Sequence, residues 1–115
     1  MGVTQPVCRY TIYSAVFARV STYEVPPEKA NDAADTFRQA IGEIRKLKGL
    51  VTAYVLVNGD SGRVVTITLW ENAALMEASR MAATRLRGEA VRALDGDVLS
   101  TEEYEVAARE IGDLG

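Results

Sequence analysis

Hydrophobic and polar residues alternate along several short stretches of the chain. Three of these stretches alternate in this way and are rich in β-branched and aromatic side chains, which predicts strands over residues 15–25, 50–57 and 63–70. A weaker alternation over residues 98–107 sets Tyr104 and Val106 against charged neighbours, so we expect a last strand near a sheet edge. Turn-forming residues at 58–62 predict that the second and third strands form an antiparallel hairpin.

Between these strands the apolar residues recur every three or four positions, as on one face of a helix. Residues 27–49 follow a proline, carry acids at the start, and end at Gly49, which we expect to act as a left-handed cap. Asn72 is the expected N-cap of a helix over residues 73–94, which we expect Gly88 to interrupt. The order β-α-β-β-α-β predicts an α+β, ferredoxin-like unit: an antiparallel sheet with two helices on one face.

The third predicted strand has too many apolar side chains for a sheet that is covered on one side only. Val65, Ile67 and Leu69 lie on the face opposite the helices. A chain of 115 residues is too short to build a second layer over that face. We therefore expect a homodimer that forms through the sheet faces.

Length and composition narrow the class of protein. The length predicts one domain, which we place at residues 15–107, with an N-terminal extension at 1–14 and a C-terminal tail at 108–115. A net charge of −3, with basic residues scattered among acids, argues against nucleic-acid binding. No apolar run reaches the roughly 18 residues of a membrane span, and the chain does not start with a secretory signal. With the lone Cys8, this favours a cytoplasmic protein without a membrane partner.

The sequence contains no histidine, which removes the usual general base and the commonest metal ligand. A Ser-His or Cys-His nucleophile is excluded, and one cysteine without histidine cannot fill a structural zinc site. No glycine-rich phosphate loop joins a strand to a helix. We therefore expect no cofactor: neither metal, flavin nor haem.

Three segments resemble the antibiotic biosynthesis monooxygenase family of small dimeric α+β barrels: VSTYEVPPEKAND, LKGLVTAYVLVN and above all GRVVTITLWENAALMEAS. The resemblance covers about residues 15–107. It implies that two protomers face their sheets together into a barrel. It also implies a pocket in each protomer between its sheet and its helices.

Trp70, the only tryptophan, ends the third strand and is the residue that matches the family pattern best. The resemblance implies that Trp70 lines the pocket, so we treat it as the candidate catalytic residue. An indole offers a flat apolar wall for an aromatic ligand and one N–H donor for a developing oxyanion. The alternative is that Trp70 is simply a buried core residue.

Other family positions do not match. The haem-degrading branch has an asparagine at about Ser21 and a histidine at Ser79 or Arg80, so haem degradation is not expected. The quinone-forming branch, which oxidises phenolic polyketides without a cofactor, has an asparagine at Thr66 and a tyrosine at Met76. Of the residues that define these two branches, only the tryptophan is present in this sequence, as Trp70.

The candidate substrate-binding residues lie on the face of the sheet, or on the face of the helix, that points to the expected pocket. They are Ser21, Tyr23, Thr66, Thr68, Met76, Ser79 and Arg80. Each has a plainer role as well: the threonines are good strand formers, an arginine on a helix is usually solvated, and Tyr23 can hold a wet hydroxyl. None of them stands out as a general base.

Two functions follow as hypotheses. The first is a cofactor-independent, monooxygenase-like protein that acts on a small aromatic or polyketide-type molecule. The second is a dimer that binds a small hydrophobic ligand without turning it over. A third, weaker alternative is a structural dimerisation module whose pocket is filled by its own side chains.

Overall fold

The computed structural model describes residues 16–110 and residue 112, so the expected extension at 1–14 lies outside the described residues. One antiparallel sheet in the order β2-β3-β1-β4 is formed by β1 (Phe17–Glu24), β2 (Leu50–Asn58), β3 (Arg63–Trp70) and β4 (Asp97–Glu105). The helices are α1 (Ala30–Ile44), α2 (Ala73–Ala78) and α3 (Arg80–Ala93). A 3₁₀ turn, Pro27–Lys29, leads into α1. The predicted α+β, ferredoxin-like fold is confirmed.

The two crossovers place the first and third strands side by side in the middle of the sheet. Strands β1 and β2 flank β3, and strands β3 and β4 flank β1. Strand β4 therefore lies at a sheet edge, as its sparse apolar pattern predicts. Because β1 and β3 are central, side chains from these two strands lie beneath the helices.

The helix-facing residues of β1 and β3 are the most buried positions in the sheet. They are Arg19, Ser21, Tyr23, Val64, Thr66, Thr68 and Trp70. Two apolar clusters form above them. One surrounds Tyr23 and Phe37, whose ring centroids are 4.6 Å apart, and the other surrounds Trp70 and Ile44. Polar side chains of the two strands lie between these clusters, and this gap is where the candidate site forms.

Helix α1 is shorter than the predicted residues 27–49. Its first turn is 3₁₀ because two consecutive prolines precede it, and it ends at Ile44. Gly49 does adopt the expected left-handed conformation, with φ of 99°, but several residues beyond the helix. A Cβ there would lie 2.7 Å from side-chain atoms of Leu75, so the glycine also allows α2 to approach the start of β2.

The second helical region is interrupted at Ser79, and the prediction of a break at Gly88 is wrong, because Gly88 lies inside α3. The Met76 carbonyl accepts hydrogen bonds from the Ser79 hydroxyl at 2.7 Å and from the Arg19 guanidinium at 2.8 Å. Side-chain donors thus compete for a carbonyl at the end of α2, which favours a helix end there. Asn72 caps α2 as predicted, with its Oδ1 accepting from the Leu75 N–H at 2.9 Å.

The sheet face opposite the helices is not covered by any other described element. Strand register places Tyr54 and Leu56 beside Ile67 and Val65 on this face. Tyr54, Leu56 and Tyr104 remain 50%, 48% and 48% exposed. In the described part of the chain, no helix has the length and apolar character needed to cross a membrane.

Candidate functional site

A small cavity lies between the central strands and the helices α1 and α3. The sheet supplies a polar floor of one arginine and three hydroxyls: Arg19, Ser21, Thr66 and Thr68. The helices supply an apolar roof and a second arginine: Phe37, Ala40, Ile41, Ile44, Ala83 and Arg87. The enclosed volume is about 10 Å³, roughly the space of one water molecule. A larger ligand therefore needs the roof to move away from the floor.

Arg19 is the most constrained charged group at this cavity. Its residue is 2% exposed, and its guanidinium donates to Glu103 Oε2 at 3.0 Å, Ser79 Oγ at 3.1 Å and the Met76 carbonyl at 2.8 Å. Its Cζ lies 5.8 Å from the ring centroid of Trp70, within range of a cation–π contact. One guanidinium thus joins β1, β4 and the α2–α3 junction.

An open cleft of about 410 Å³ lies beside the cavity, between α3 and the edge strand β4. That volume is within the range of small-molecule sites. The cleft shares Arg19 and Arg87 with the cavity and is also lined by Arg80, Thr84, Thr101 and Glu103. Three guanidinium groups and one carboxylate therefore face the same space, which favours an anion in it.

Glu103 bridges the buried and the exposed side of the cleft. One carboxylate oxygen accepts from Arg19 at 3.0 Å and the other from Arg80 at 2.7 Å. Burial of the Glu103 carboxyl acts to raise its pKa, but the hydrogen bonds from Arg80 and Arg19 outweigh burial and lower the pKa below its ordinary value. Glu103 is therefore ionised at neutral pH and is a weak proton acceptor.

Arg87 faces the cavity without a carboxylate partner. Arg87 is 9% exposed, and among the described residues its guanidinium donates a hydrogen bond to Thr84 Oγ1 at 3.3 Å. Burial and the positive charge of Arg19 lower the pKa of the Arg87 guanidinium, whereas the charges of Tyr23 and Glu103 act to raise it, and the lowering effects are larger. The group nevertheless stays charged at neutral pH, because an arginine is not deprotonated under these conditions.

Two hydroxyl pairs complete the floor of the cavity. The Tyr23 and Thr66 hydroxyl oxygens are 2.9 Å apart, and those of Ser21 and Thr101 are 3.1 Å apart. Tyr23 is fully buried rather than wet at its hydroxyl, and burial raises the pKa of its phenol. Tyr23 is therefore protonated and serves as a hydrogen-bonding partner of Thr66, not as a base.

The structure changes the interpretation of Trp70. The ring is fully buried in the cluster around Ile44 and Met76 and is not among the residues that line the cavity. Its indole N–H donates to Thr68 Oγ1 at 2.9 Å, so that donor is already engaged. The structure therefore does not place Trp70 as a pocket wall with a free N–H. Thr68, the hydrogen-bond partner of Trp70, is the residue that lines the cavity.

The helix candidates separate into two groups. Met76 and Ser79 are buried, but they hold Arg19 rather than line the cavity. Arg80 is exposed and forms ion pairs with Glu77 at 2.8 Å and with Glu103 at 2.7 Å. It lines the open cleft and not the enclosed cavity, because it begins α3 at the rim of the sheet.

The two buried arginines were not among the residues that the sequence analysis selected. The signal for Arg19 is its position on β1, with the same parity as Ser21 and Tyr23. The signal for Arg87 is its spacing of four residues from Ala83 and Val91, which places it on the apolar side of α3. An arginine on a buried stripe is a stronger indication of a site than the exposed Arg80.

Within residues 16–110 and residue 112, no group of three or more histidine, cysteine, aspartate or glutamate side chains is arranged to hold a metal ion. The donors that do converge at the cavity are guanidinium and hydroxyl groups. Such groups recognise oxyanions rather than cations.

The fold and the site define a ferredoxin-like domain with a polar cavity under its helices, and sequence comparison gives its family. The family model for "antibiotic biosynthesis monooxygenase" matches residues 16–90. This chain belongs to that family. The match includes β1, α1, the β2–β3 hairpin and α2, together with most of α3, so it covers every residue of the cavity floor and roof.

Solved structures support the fold at low sequence identity. A conserved protein from Methanosarcina mazei Go1 superposes with a TM-score of 0.65 at 16% identity, covering 84% of this chain and 97% of that one. SnoaB, a cofactor-independent oxygenase from Streptomyces nogalater, superposes with a TM-score of 0.63 at 17% identity, covering 84% of this chain and 96% of SnoaB. At these identities the likeness is one of fold.

A curated relative is similar in sequence but longer. The uncharacterized protein Rv2557 of Mycobacterium tuberculosis (strain ATCC 25618 / H37Rv) is 29% identical over 94 residues. The aligned part covers 81% of this chain and 42% of that protein. The chain therefore spans less than half the length of this relative.

The ion pairs of Glu103 generate a test of the cleft. Because the folded-state pKa of Glu103 is lowered, its contribution to stability is present above the unfolded value of about 4.3 and is lost as pH falls through the folded value. Glu103→Gln is therefore expected to lower the Tm at pH 7 and to have a smaller effect below about pH 4. Glu105→Gln, an exposed neighbour on β4, is the matched control and should change little. A Glu103→Gln effect that is constant from pH 7 to pH 3 would contradict the ion-pair role.

Proposed function

We propose that the protein is a cofactor-independent monooxygenase that oxidises a small phenolic aromatic molecule, bound between the sheet and the helices. Membership of the antibiotic biosynthesis monooxygenase family supports the general activity. The observation that carries the proposal is the pairing of an apolar roof with a floor that holds a buried guanidinium and three hydroxyls. When the roof moves away from the floor, an aromatic ring can pack against the roof with its phenolate oxygen on the floor.

Positive charge is the main contribution of the site to this reaction. A phenol has a pKa near 10, and a nearby cation favours its ionised form. Arg19 and Arg87 both border the cavity, so their charge acts to lower the pKa of a phenol placed there, against the burial that raises the pKa of Tyr23. This matters because a phenolate is far richer in electrons than a phenol and can reduce oxygen directly.

The reaction needs only the phenolate and O₂ as reactants. The phenolate transfers one electron to O₂, and the two radicals combine to form a C–O bond, giving a hydroperoxide on the ring. Loss of water from the hydroperoxide leaves a quinone. One oxygen atom of O₂ enters the product and the other leaves as water, so phenol and O₂ give quinone and H₂O.

Thr68 is the residue that we propose for holding the phenolate oxygen. Its hydroxyl accepts from the Trp70 indole, which leaves the Thr68 proton free to donate into the cavity. An accepted hydrogen bond strengthens the donor ability of the same hydroxyl. Trp70 thereby acts as a positioning residue, and Tyr23 holds Thr66 through the hydrogen bond between their hydroxyl groups.

A second candidate function is binding without turnover. No carboxylate is among the residues that line the enclosed cavity, so no described side chain there is suited to accept the phenol proton. In the proposed oxygenase the proton leaves to solvent through the open cleft. A binding protein would share the site and lack oxygen consumption.

We also propose that the protein works as a cytoplasmic homodimer, in which the open sheet faces pack together into a barrel. The support is the half-exposed aromatic and aliphatic surface around Tyr54, Leu56 and Tyr104, with Val65 and Ile67 beside it. A face of this kind is stabilised when a second copy covers it. The single cysteine of the sequence fits a reducing compartment.

Oxygen uptake tests the proposed activity. With 1,5-dihydroxynaphthalene, the protein should consume one O₂ per molecule and form the hydroxynaphthoquinone, faster than the buffer alone. Thr68→Val removes the proposed donor while keeping the shape, so we expect kcat/KM to fall about 10- to 100-fold.

Thr22→Val is the matched control for that variant. Thr22 lies on β1 but on the opposite face of the sheet, between Val65 and Ser100, so its replacement should leave the rate unchanged. Saturable binding of the naphthalene without oxygen uptake would favour the binding protein over the oxygenase. Equal rates for Thr68→Val and the wild type would contradict the proposal that Thr68 holds the phenolate oxygen.

Light scattering tests the dimer. At micromolar concentration the mass should be twice that of the 12.5 kDa chain. Ile67→Lys places a charge in the centre of the open sheet face, so it should abolish the dimer and give a monomeric or aggregated product. Met81→Lys adds the same charge at an 85% exposed position on α3 and should leave the dimer intact. A monomeric wild type would contradict the proposal.

A further inference from the structure

Arg87 occupies a position that a purely structural arginine does not explain. It borders the enclosed cavity, the cleft of about 410 Å³ and a neighbouring groove of about 540 Å³ that also contains Arg85 and Arg92. Its residue is nine-tenths buried. No described carboxylate lies within ion-pair distance of its guanidinium, although Arg80, Arg85 and Arg19 all have such a partner.

A buried charge without a partner is unfavourable for folding. Desolvation of a guanidinium is normally offset by an opposite charge or by a full set of hydrogen bonds. Arg87 has five N–H donors, and among the described residues it makes one long hydrogen bond, to the Thr84 hydroxyl. No described side-chain nitrogen is both buried and without a partner, so the other nitrogens of Arg87 are open to the cleft. An anion in the cleft can therefore reach donors of Arg87 that no described carboxylate pairs with.

We propose that Arg87 binds a carboxylate of the substrate, so that the substrate is an aromatic acid whose carboxylate is remote from its phenol. This inference rests on the proposed function for the location of the aromatic ring. A planar carboxylate matches the fork of a guanidinium in a bidentate pair. The chain as a whole carries a net charge of −3, so the positive cleft is a local feature and not a general attraction for anions.

The strand register sets the distance between the two ends of this substrate. Thr68 on β3, Arg19 on β1 and Glu103 on β4 lie in one row across the sheet, next to the row of Thr66, Ser21 and Thr101. The phenolate end lies over β3, whereas Arg87 borders the cleft with Thr101, on the β4 side. Neighbouring strands are about 4.8 Å apart, so the two groups are separated by one to two strand spacings, about 5–10 Å.

Matched ligands test the carboxylate. The probes are 6-hydroxy-2-naphthoate, which has its two groups at opposite ends, and 2-naphthol, which lacks only the carboxylate. By titration calorimetry the wild type should bind 6-hydroxy-2-naphthoate at least tenfold more tightly than 2-naphthol. Equal affinities would overturn the proposal. Tighter binding of 3-hydroxy-2-naphthoate, in which the groups are adjacent, would overturn the separation, and tighter binding of 2-naphthyl phosphate would overturn the choice of carboxylate.

Arg87→Met tests the residue. This variant should lose the preference for 6-hydroxy-2-naphthoate over 2-naphthol, because the carboxylate loses its partner while both ligands keep Arg19 and Thr68 at the phenol end. Its Tm should be equal to or higher than that of the wild type, since the substitution removes a buried charge without an ion pair. Arg38→Met, on the exposed side of α1, makes the same change in net charge and should keep the preference. A lower Tm together with a retained preference would show that Arg87 is structural.

The outcomes separate this inference from the proposed function. If the protein turns over 1,5-dihydroxynaphthalene but shows no preference for the carboxylate, the proposed oxygenase activity stands and the proposed role of Arg87 is wrong. If the preference for the carboxylate depends on Arg87 but no phenol causes oxygen uptake, the proposed acid-binding site stands and the proposed oxygenase activity is wrong.

Discussion

The buried guanidinium of Arg19 is the interaction on which the rest of the site depends. It holds the edge strand through Glu103, the helix junction through the Met76 carbonyl and Ser79, and the face of Trp70 through a cation–π contact. A charge this deeply buried is tolerated only when its donors are satisfied. The interruption between α2 and α3, the closure of β4 against the cleft and the polar floor of the cavity all follow from that requirement.

The second arginine differs from the first in this respect. Each guanidinium nitrogen of Arg19 donates a hydrogen bond within the protein, whereas among the described residues Arg87 bonds only to the Thr84 hydroxyl and keeps its other nitrogens open to the cleft. Functional sites often retain such unfavourable groups because the ligand completes them. Arg19 therefore organises the site, and Arg87 is the residue that we propose pairs with a ligand.

Much of this structure could be predicted from the pattern of apolar residues. Strand parity placed Ser21, Tyr23, Thr66 and Thr68 under the helices, and the excess of apolar residues on β3 indicated the open sheet face. The break at Ser79 could not be predicted, because it depends on a contact with Arg19, which lies 60 residues away in the sequence. The indole partner of Trp70 was missed because a strand pattern does not show that residues two apart on one face can bond to each other.

The most direct test of the central claim is a crystal structure of the protein with 1,5-dihydroxynaphthalene bound under anaerobic conditions. We expect the ring between the central strands and the roof residues Phe37 and Ala83, with α1 or α3 displaced from the sheet to make room. One phenolic oxygen should lie within hydrogen-bond distance of Thr68 Oγ1. A naphthalene bound on the open sheet face, with the cavity still closed around a single water, would contradict the assignment of the site.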